Sequence, residues 1–194
     1  MLINFLQQNK FCKKIIYKIA KGRATDLIGR IKPLLNKSDK ILDIGAGTCN
    51  VYELLLNENY QVTALDVQNL SFIDNLNPII YDGVTMPFPD NSFDTAIILT
   101  VLHHTPNPEL ILAEAKRVSK KIIIIEDIYS NIFEKYLTYF FDSLLNFEFA
   151  GHPHTNKSDK EWKETFTKLG LKLIASKRKR SLLVFNHATY LLEK

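Results

Sequence analysis

The chain has 194 residues, the size of one domain with at most a small cap, and its 46% hydrophobic and 24% charged composition excludes disordered and low-complexity architectures. Two cysteines, Cys12 and Cys49, are too few for a disulfide framework or a cysteine-rich zinc site. No apolar run approaches the roughly 18 residues that span a bilayer, and the opening Met1-Leu2-Ile3-Asn4-Phe5-Leu6 is too short for a secretory segment and is followed, not preceded, by its basic residues. A reduced, soluble, cytoplasmic protein is expected. The net charge of +4 is uneven: +8 over residues 1–38, −10 over 39–150 and +6 over 151–194, a pattern that suggests two functions segregated along the chain or, equally, solvated lysine-rich helix faces at its ends.

The N-terminal stretch reads as two helical pieces that dock on the rest of the molecule, with Gly22 between them. In the second, Ala24, Leu27, Ile28, Ile31, Leu34 and Leu35 recur at spacings of three and four, and Pro33 lies near its end. In the first, Leu2, Phe5, Leu6, Ile16 and Ile19 make a less regular stripe. From Lys40 the pattern becomes short apolar runs alternating with helical segments. Strands are expected at 41–44, 62–66, 79–82, 93–99 and 122–126, with helices after the first and from Asn107, Pro108 to about Ser119. Such alternation implies an α/β, doubly wound, mostly parallel sheet. Residues 130–149 are rich in aromatics, Ser158 and Glu161 have the spacing of a capping box, and Trp162, Phe166 and Leu169 form the apolar face of a helix closed by Gly170. Leu171–Ser176 and Leu182–Leu192 read as two closing strands.

The segment Asp43-Ile44-Gly45-Ala46-Gly47-Thr48 leaves a strand and enters a helix. Glycines there let the backbone turn sharply beneath a nucleotide at a helix N-terminus. Asp66, 21 residues after Gly45, ends the second strand, where a carboxylate can accept both hydroxyls of a ribose. Asn50 fits the third small position of a dinucleotide fingerprint poorly, and Asp43 just below the turn would repel a pyrophosphate. A cofactor with a cationic end fits instead, which favours S-adenosylmethionine over NAD.

These residues resemble the class I S-adenosylmethionine-dependent methyltransferases, in particular the small single-domain members acting mostly on small molecules. The likeness covers roughly 39–127 and extends through Tyr81-Asp82-Gly83, Met86 to Asp94, Val101-Leu102-His103-His104, Pro108-Glu109 and Ala115-Lys116-Arg117-Val118. It implies a seven-stranded sheet of order 3-2-1-4-5-7-6. It also implies four parts within one domain: a helical lid (1–38), a cofactor-binding core (39–127), substrate-capping helices (128–170) and a closing strand pair (171–194). By the same resemblance Gly45 and Gly47 contact the methionine portion, Asp66 the ribose, and Asp82 with Gly83 the adenine; Asp43, Ala46, Val67 and Thr100 complete the cofactor set. Cys49 departs from the family's common third glycine, and Ser119-Lys120-Lys121 replaces its Pro-Gly-Gly turn.

Methyl transfer from a sulfonium is an in-line displacement, so a protein supplies positioning and, where the acceptor carries a proton, a base. His104 follows the fourth strand at the ligand-binding edge and is the candidate base or substrate-orienting residue; simple packing is the competing assignment. Glu126 and Asp127 end the fifth strand on the same edge. His152 and His154 read as a polar loop, and no metal site is expected. The aromatic segment suits an apolar, aromatic or lipid-like acceptor, or equally a plain core face. Nucleic acid is the second acceptor class, through Lys177-Arg178-Lys179-Arg180 and the basic ends, although the Asn/Asp-Pro-Pro-aromatic signature of nucleobase methyltransferases is missing. A non-catalytic S-adenosylmethionine-binding protein is the third reading. The basic N-terminal helices could also meet a membrane surface.

Overall fold

The structure is a computed structural model, and it describes residues 2–129, 155–181 and 185–194. The aromatic segment, His152 and His154 therefore lie outside the described residues. Helices α1 (Leu2–Gln8) and α2 (Lys10–Ile31) precede β1 (Lys40–Ile44), α3 (Asn50–Asn57), β2 (Gln61–Asp66), β3 (Ile79–Ile80), β4 (Phe93–Leu99), α4 (Pro108–Val118) and β5 (Ser119–Ile128). After the undescribed stretch come α5 (Asp159–Lys168), β6 (Lys172–Ser181) and β7 (Phe185–Glu193). The strands form one sheet of order β3-β2-β1-β4-β5-β7-β6, the order expected from the resemblance. The first five are parallel; β7 runs antiparallel to both β5 and β6. Order reverses between β1 and β4, which opens a crevice at the carboxyl ends of those strands.

β5 shows why the sheet is buried on both sides. Successive side chains leave a strand on opposite faces. Ile122 and Ile124 join Ile111, Leu112 and Ala115 of α4 and Trp162 and Phe166 of α5. Ile123 and Ile125 instead meet Leu27, Ile28 and Ile31 of α2 and Leu55 of α3. Each buried isoleucine contributes about 2 kcal/mol of apolar transfer. The capping box is formed: Ser158 Oγ accepts from Glu161 N, and Glu161 Oε2 accepts from Ser158 N.

Four expectations change. The helix break falls at Asn9, not Gly22, because the Asn9 side chain accepts from Phe11 N and Cys12 N and so starts α2 afresh. Gly22 lies on an open side of a continuous helix, where the roughly 1 kcal/mol cost of glycine is absorbed by the turns around it. The first stripe does not dock as a unit, since Phe5 and Ile19 face solvent. β3 ends at Ile80, since Asp82 folds back to accept from Val84 N and Thr85 N. Finally, the basic run 177–180 continues β6 and is not a separate segment.

Candidate functional site

β1 delivers the glycine turn to the crevice. Gly45 and Gly47 adopt φ of 74° and 51°, in the left-handed region that favours glycine. Gly45 is further fixed by packing: a Cβ there would lie 2.5 Å from Cγ2 of Val101. Gly47 has open space around it, its nearest contact being the Gly45 carbonyl oxygen at 3.9 Å. Gly45 N and Ala46 N donate to Leu65 O at 2.8 and 3.2 Å, so the turn is stitched to the end of β2.

Asp66 completes that stitching. Its Oδ2 accepts from Gly47 N at 2.8 Å, and its Oδ1 accepts from Val67 N at 2.7 Å and Gln68 N at 3.3 Å. Asp43 is different. It is 2% exposed, and its Oδ2 is buried without a hydrogen-bond partner. Burial, with the neighbouring Asp66 charge adding to it, pushes its carboxyl up to about 7. The Cys49 thiol, at φ 62° and fully buried where a glycine is common, is pushed up to about 11, chiefly by burial. It is an inert packing residue and not a nucleophile.

Across the crevice, Asp82 caps its own turn through Val84 N and Thr85 N, both at 2.8 Å; those donors hold its carboxyl below the ordinary range. Gly83, at φ 77°, lies against Val67, where a Cβ would come within 3.2 Å of Val67 Cγ1. Thr100 has φ 57°; its hydroxyl donates to Leu99 O and accepts from Arg23 Nη2 of α2 at 3.0 Å. His104 ends a 3-10 turn, Leu102–His104, and is half-buried with its ring centroid 4.1 Å from that of His103. The fold thus brings Asp43, Gly45, Ala46, Gly47, Asp66 and Val67 together, with Asp82 and Gly83 beside Val67. Val101 links Gly45 to the turn that holds His104.

Glu126 organises that turn, a role sequence reasoning did not assign to it. Its Oε1 accepts from Val101 N at 2.9 Å and Leu102 N at 2.7 Å, and its Oε2 lies 2.5 Å from His103 Nδ1. Glu126 therefore holds Val101 over Gly45. On the opposite face Asp127 Oδ1 lies 2.6 Å from His187 Nε2, and His187 Nδ1 lies 2.6 Å from Arg30 Nη1. An arginine can only donate, so Nδ1 accepts and Nε2 carries the proton. Burial raises the Asp127 carboxyl, but the His187 contact, with the charges of His103 and Arg23 nearby, outweighs it and holds the group below the usual range. An acid closing a run of isoleucines was the available signal; the partners of each acid lie too far away in sequence to be read from it.

A mostly parallel sheet of this order, closed by an antiparallel β7, with a glycine turn over a buried acid is the class I, S-adenosylmethionine-dependent methyltransferase fold. Residues 42–122 match the methyltransferase domain family. A 24-methylenesterol C-methyltransferase from Arabidopsis thaliana is 35% identical over 50% of this chain and 29% of its own length. A demethylmenaquinone methyltransferase from Renibacterium salmoninarum is 32% identical over 45% and 40%. The chain thus spans well under half the length of these curated relatives. Among solved structures, a SAM-dependent methyltransferase from Methanosarcina mazei superposes with a TM-score of 0.65 at 20% identity, covering 84% of this chain and 96% of that one. Another, from Archaeoglobus fulgidus, gives 0.65 at 16% identity, covering 92% and 94%. The residues fit S-adenosylmethionine on two counts: the partnerless Asp43 oxygen suits a cationic ligand, and the space above Gly47 would be lost to any side chain.

Proposed function

We propose that this chain transfers a methyl group from S-adenosylmethionine to a small apolar acceptor. The observation that carries the reading is Asp43: a buried carboxylate under a glycine turn, with one oxygen left for a positively charged partner. In this reading the backbone of Gly45, Ala46 and Gly47 lies along the methionine tail and Asp66 accepts the ribose hydroxyls. Val67, Asp82 and Gly83 border the adenine, and Thr100 flanks the tail beside Arg23. The sulfonium supplies an electrophilic methyl: the acceptor–methyl bond forms as the carbon–sulfur bond breaks, and the electron pair stays on sulfur as the neutral thioether of S-adenosylhomocysteine. His104 takes any proton the acceptor loses, and Glu126 fixes the turn that presents it.

The acceptor class is supported by the names of the relatives, a 24-methylenesterol C-methyltransferase and a demethylmenaquinone methyltransferase. A nucleic-acid acceptor is disfavoured by the state of the basic run, because Arg178 is paired with Asp159 and Lys179 with Asp26. No helix among the described residues is long and apolar enough to cross a membrane. Peripheral contact with a membrane is a separate matter, resting on the surfaces of α1 and α2.

Thermal shift with S-adenosylmethionine, S-adenosylhomocysteine and NADH tests the cofactor. At about a hundred times its dissociation constant a ligand stabilises by roughly 2.7 kcal/mol. Both adenosyl ligands should raise the melting temperature of the wild type, NADH should not, and Asp66→Ala should lose most of the gain. No gain with either adenosyl ligand sinks the reading. Transfer of labelled methyl into RNA but not into a lipid extract would reassign the acceptor, and transfer into neither would leave a binding protein.

A further inference from the structure

The outward side of the N-terminal helices carries a surface that methyl transfer does not use. At 3.6 residues per turn, Phe11, Ile15 and Ile19 point away from Ala24, Leu27, Ile28 and Ile31, which bury the other side of α2. They are 73, 43 and 69% exposed, and Phe5 of α1 is 59% exposed, a row of bare apolar side chains on an otherwise ordinary surface. One residue ahead of each, Lys10, Lys14 and Lys18 repeat the same spacing. All three are exposed and none is in an ion pair among the described residues. Lys13 and Lys21, on the flank turned toward the body, are instead held by Asp74 and Glu53. The first acidic residue of the chain is Asp26.

The helices are anchored and do not hang free. Gln7 Nε2 donates to Ser71 O at 2.9 Å, the Tyr17 hydroxyl donates to Glu53 at 2.9 Å, and Arg23 reaches Thr100. These contacts fix the apolar and lysine rows on a helix that runs along the carboxyl edge of the sheet.

We propose that α1 and the N-terminal half of α2 form a docking surface for an anionic lipid bilayer. An apolar row with parallel lysines matches the two chemistries of that interface: Phe11, Ile15 and Ile19 enter the acyl boundary while the ammonium groups reach the phosphates. A soluble polyanion would use the lysines and ignore the apolar row. A second copy of this chain would bring a like-charged lysine row against its own. Docking in this sense places the crevice next to the bilayer and is independent of the methyl-transfer reading, because it is read without cofactor.

The test is cosedimentation of the full chain with phosphatidylcholine vesicles, with and without phosphatidylglycerol. The wild type should partition to the anionic vesicles and far less to the neutral ones. Lys14→Gln with Lys18→Gln should lower partitioning about 30-fold, roughly fivefold per lysine. Phe11→Ser with Ile19→Ser should lower it on the order of 100-fold. Both pairs face away from the core, so both variants should melt as the wild type does. Failure of the wild type to bind anionic vesicles overturns the proposal. So does loss of binding in the lysine variant alone, the mark of a plain polyanion site. A concentration-dependent dimer abolished by the serine substitutions, with vesicle binding unchanged, would assign the surface to a second copy instead.

Discussion

β1 and β5 each deliver buried carboxylates to the carboxyl edge of the sheet, yet they treat them in opposite ways. At the end of β5 both acids face donors or an imidazole: Glu126 takes two backbone N–H groups and His103, and Asp127 Oδ1 lies 2.6 Å from His187 Nε2 with Arg30 behind it, although that oxygen makes no aligned hydrogen bond. At the end of β1, Asp43 is just as buried and keeps an oxygen without a partner. A buried charge costs several kcal/mol unless it is paired, so a fold that sets two acids against donors or an imidazole and leaves a third with neither has assigned them different tasks. The engaged acids build the edge; the bare one is kept for what binds there. The two ends meet physically, because Glu126 holds Val101 and Val101 packs over Gly45.

The comparison breaks first at Glu126. Glu126→Ala strands Val101 N, Leu102 N and His103 in a buried site and should cost about 3–5 kcal/mol in urea unfolding. A loss below about 1 kcal/mol would mean that the turn does not depend on it.

Asp43→Asn should act in the other direction. A carboxyl raised to about 7 in the folded state keeps its proton while the unfolded chain has already lost it near 4. Between those values the folded state binds more protons, so wild-type stability falls as pH rises and the full penalty stands above about pH 7. The asparagine removes this penalty. The variant should equal the wild type below about pH 4 and exceed it by roughly 2–4 kcal/mol at pH 8, while binding S-adenosylmethionine more weakly. A cationic ligand should also drive off the Asp43 proton, so the binding heat near pH 7 should change with the ionisation enthalpy of the buffer. Destabilisation by the asparagine at pH 8 would show that Asp43 is already paired.

Asp127→Asn keeps the volume and removes the charge facing His187. It should cost about 1–3 kcal/mol at neutral pH. A depressed carboxyl contributes stability above its unfolded value and loses it as pH falls through the folded one, so the gap between variant and wild type should close below about pH 4. Cofactor affinity should change little, because this pair holds α2 and β7 and does not touch the turn.

What could be read from the sequence follows the same division. The strands of the core, the glycine turn, Asp66 and the Ser158 capping box are local patterns that alternation, spacing and capping chemistry determine over a few residues, whereas the strand order was available only through the family resemblance. The contacts of Glu126 with residues 101–103, and of Asp127 with His187 and Arg30, join segments far apart along the chain, and no spacing announces them. The Asn9 break was hidden by Gly22, a stronger breaker by composition but an outward-facing one in the helix. The exposed row on α2 was hidden because stripes on its two sides overlap in sequence, and only burial separates the side that docks from the side that does not.

The smallest expected change in stability falls on Gly47, and it decides whether the space above the β1 turn belongs to a ligand. Gly47→Ala meets no atom closer than 3.9 Å, so its cost is that of an alanine at φ 51°, about 1 kcal/mol. If the cofactor runs along this turn, the new methyl group occupies its path, and affinity for S-adenosylhomocysteine measured by calorimetry should fall far more than that small loss of stability implies. Gly45→Ala is the control, because its Cβ collides with Val101 and should unsettle fold and binding together. Equal, small effects of Gly47→Ala on both would move the ligand away from β1 and leave the bare oxygen of Asp43 without the role given to it.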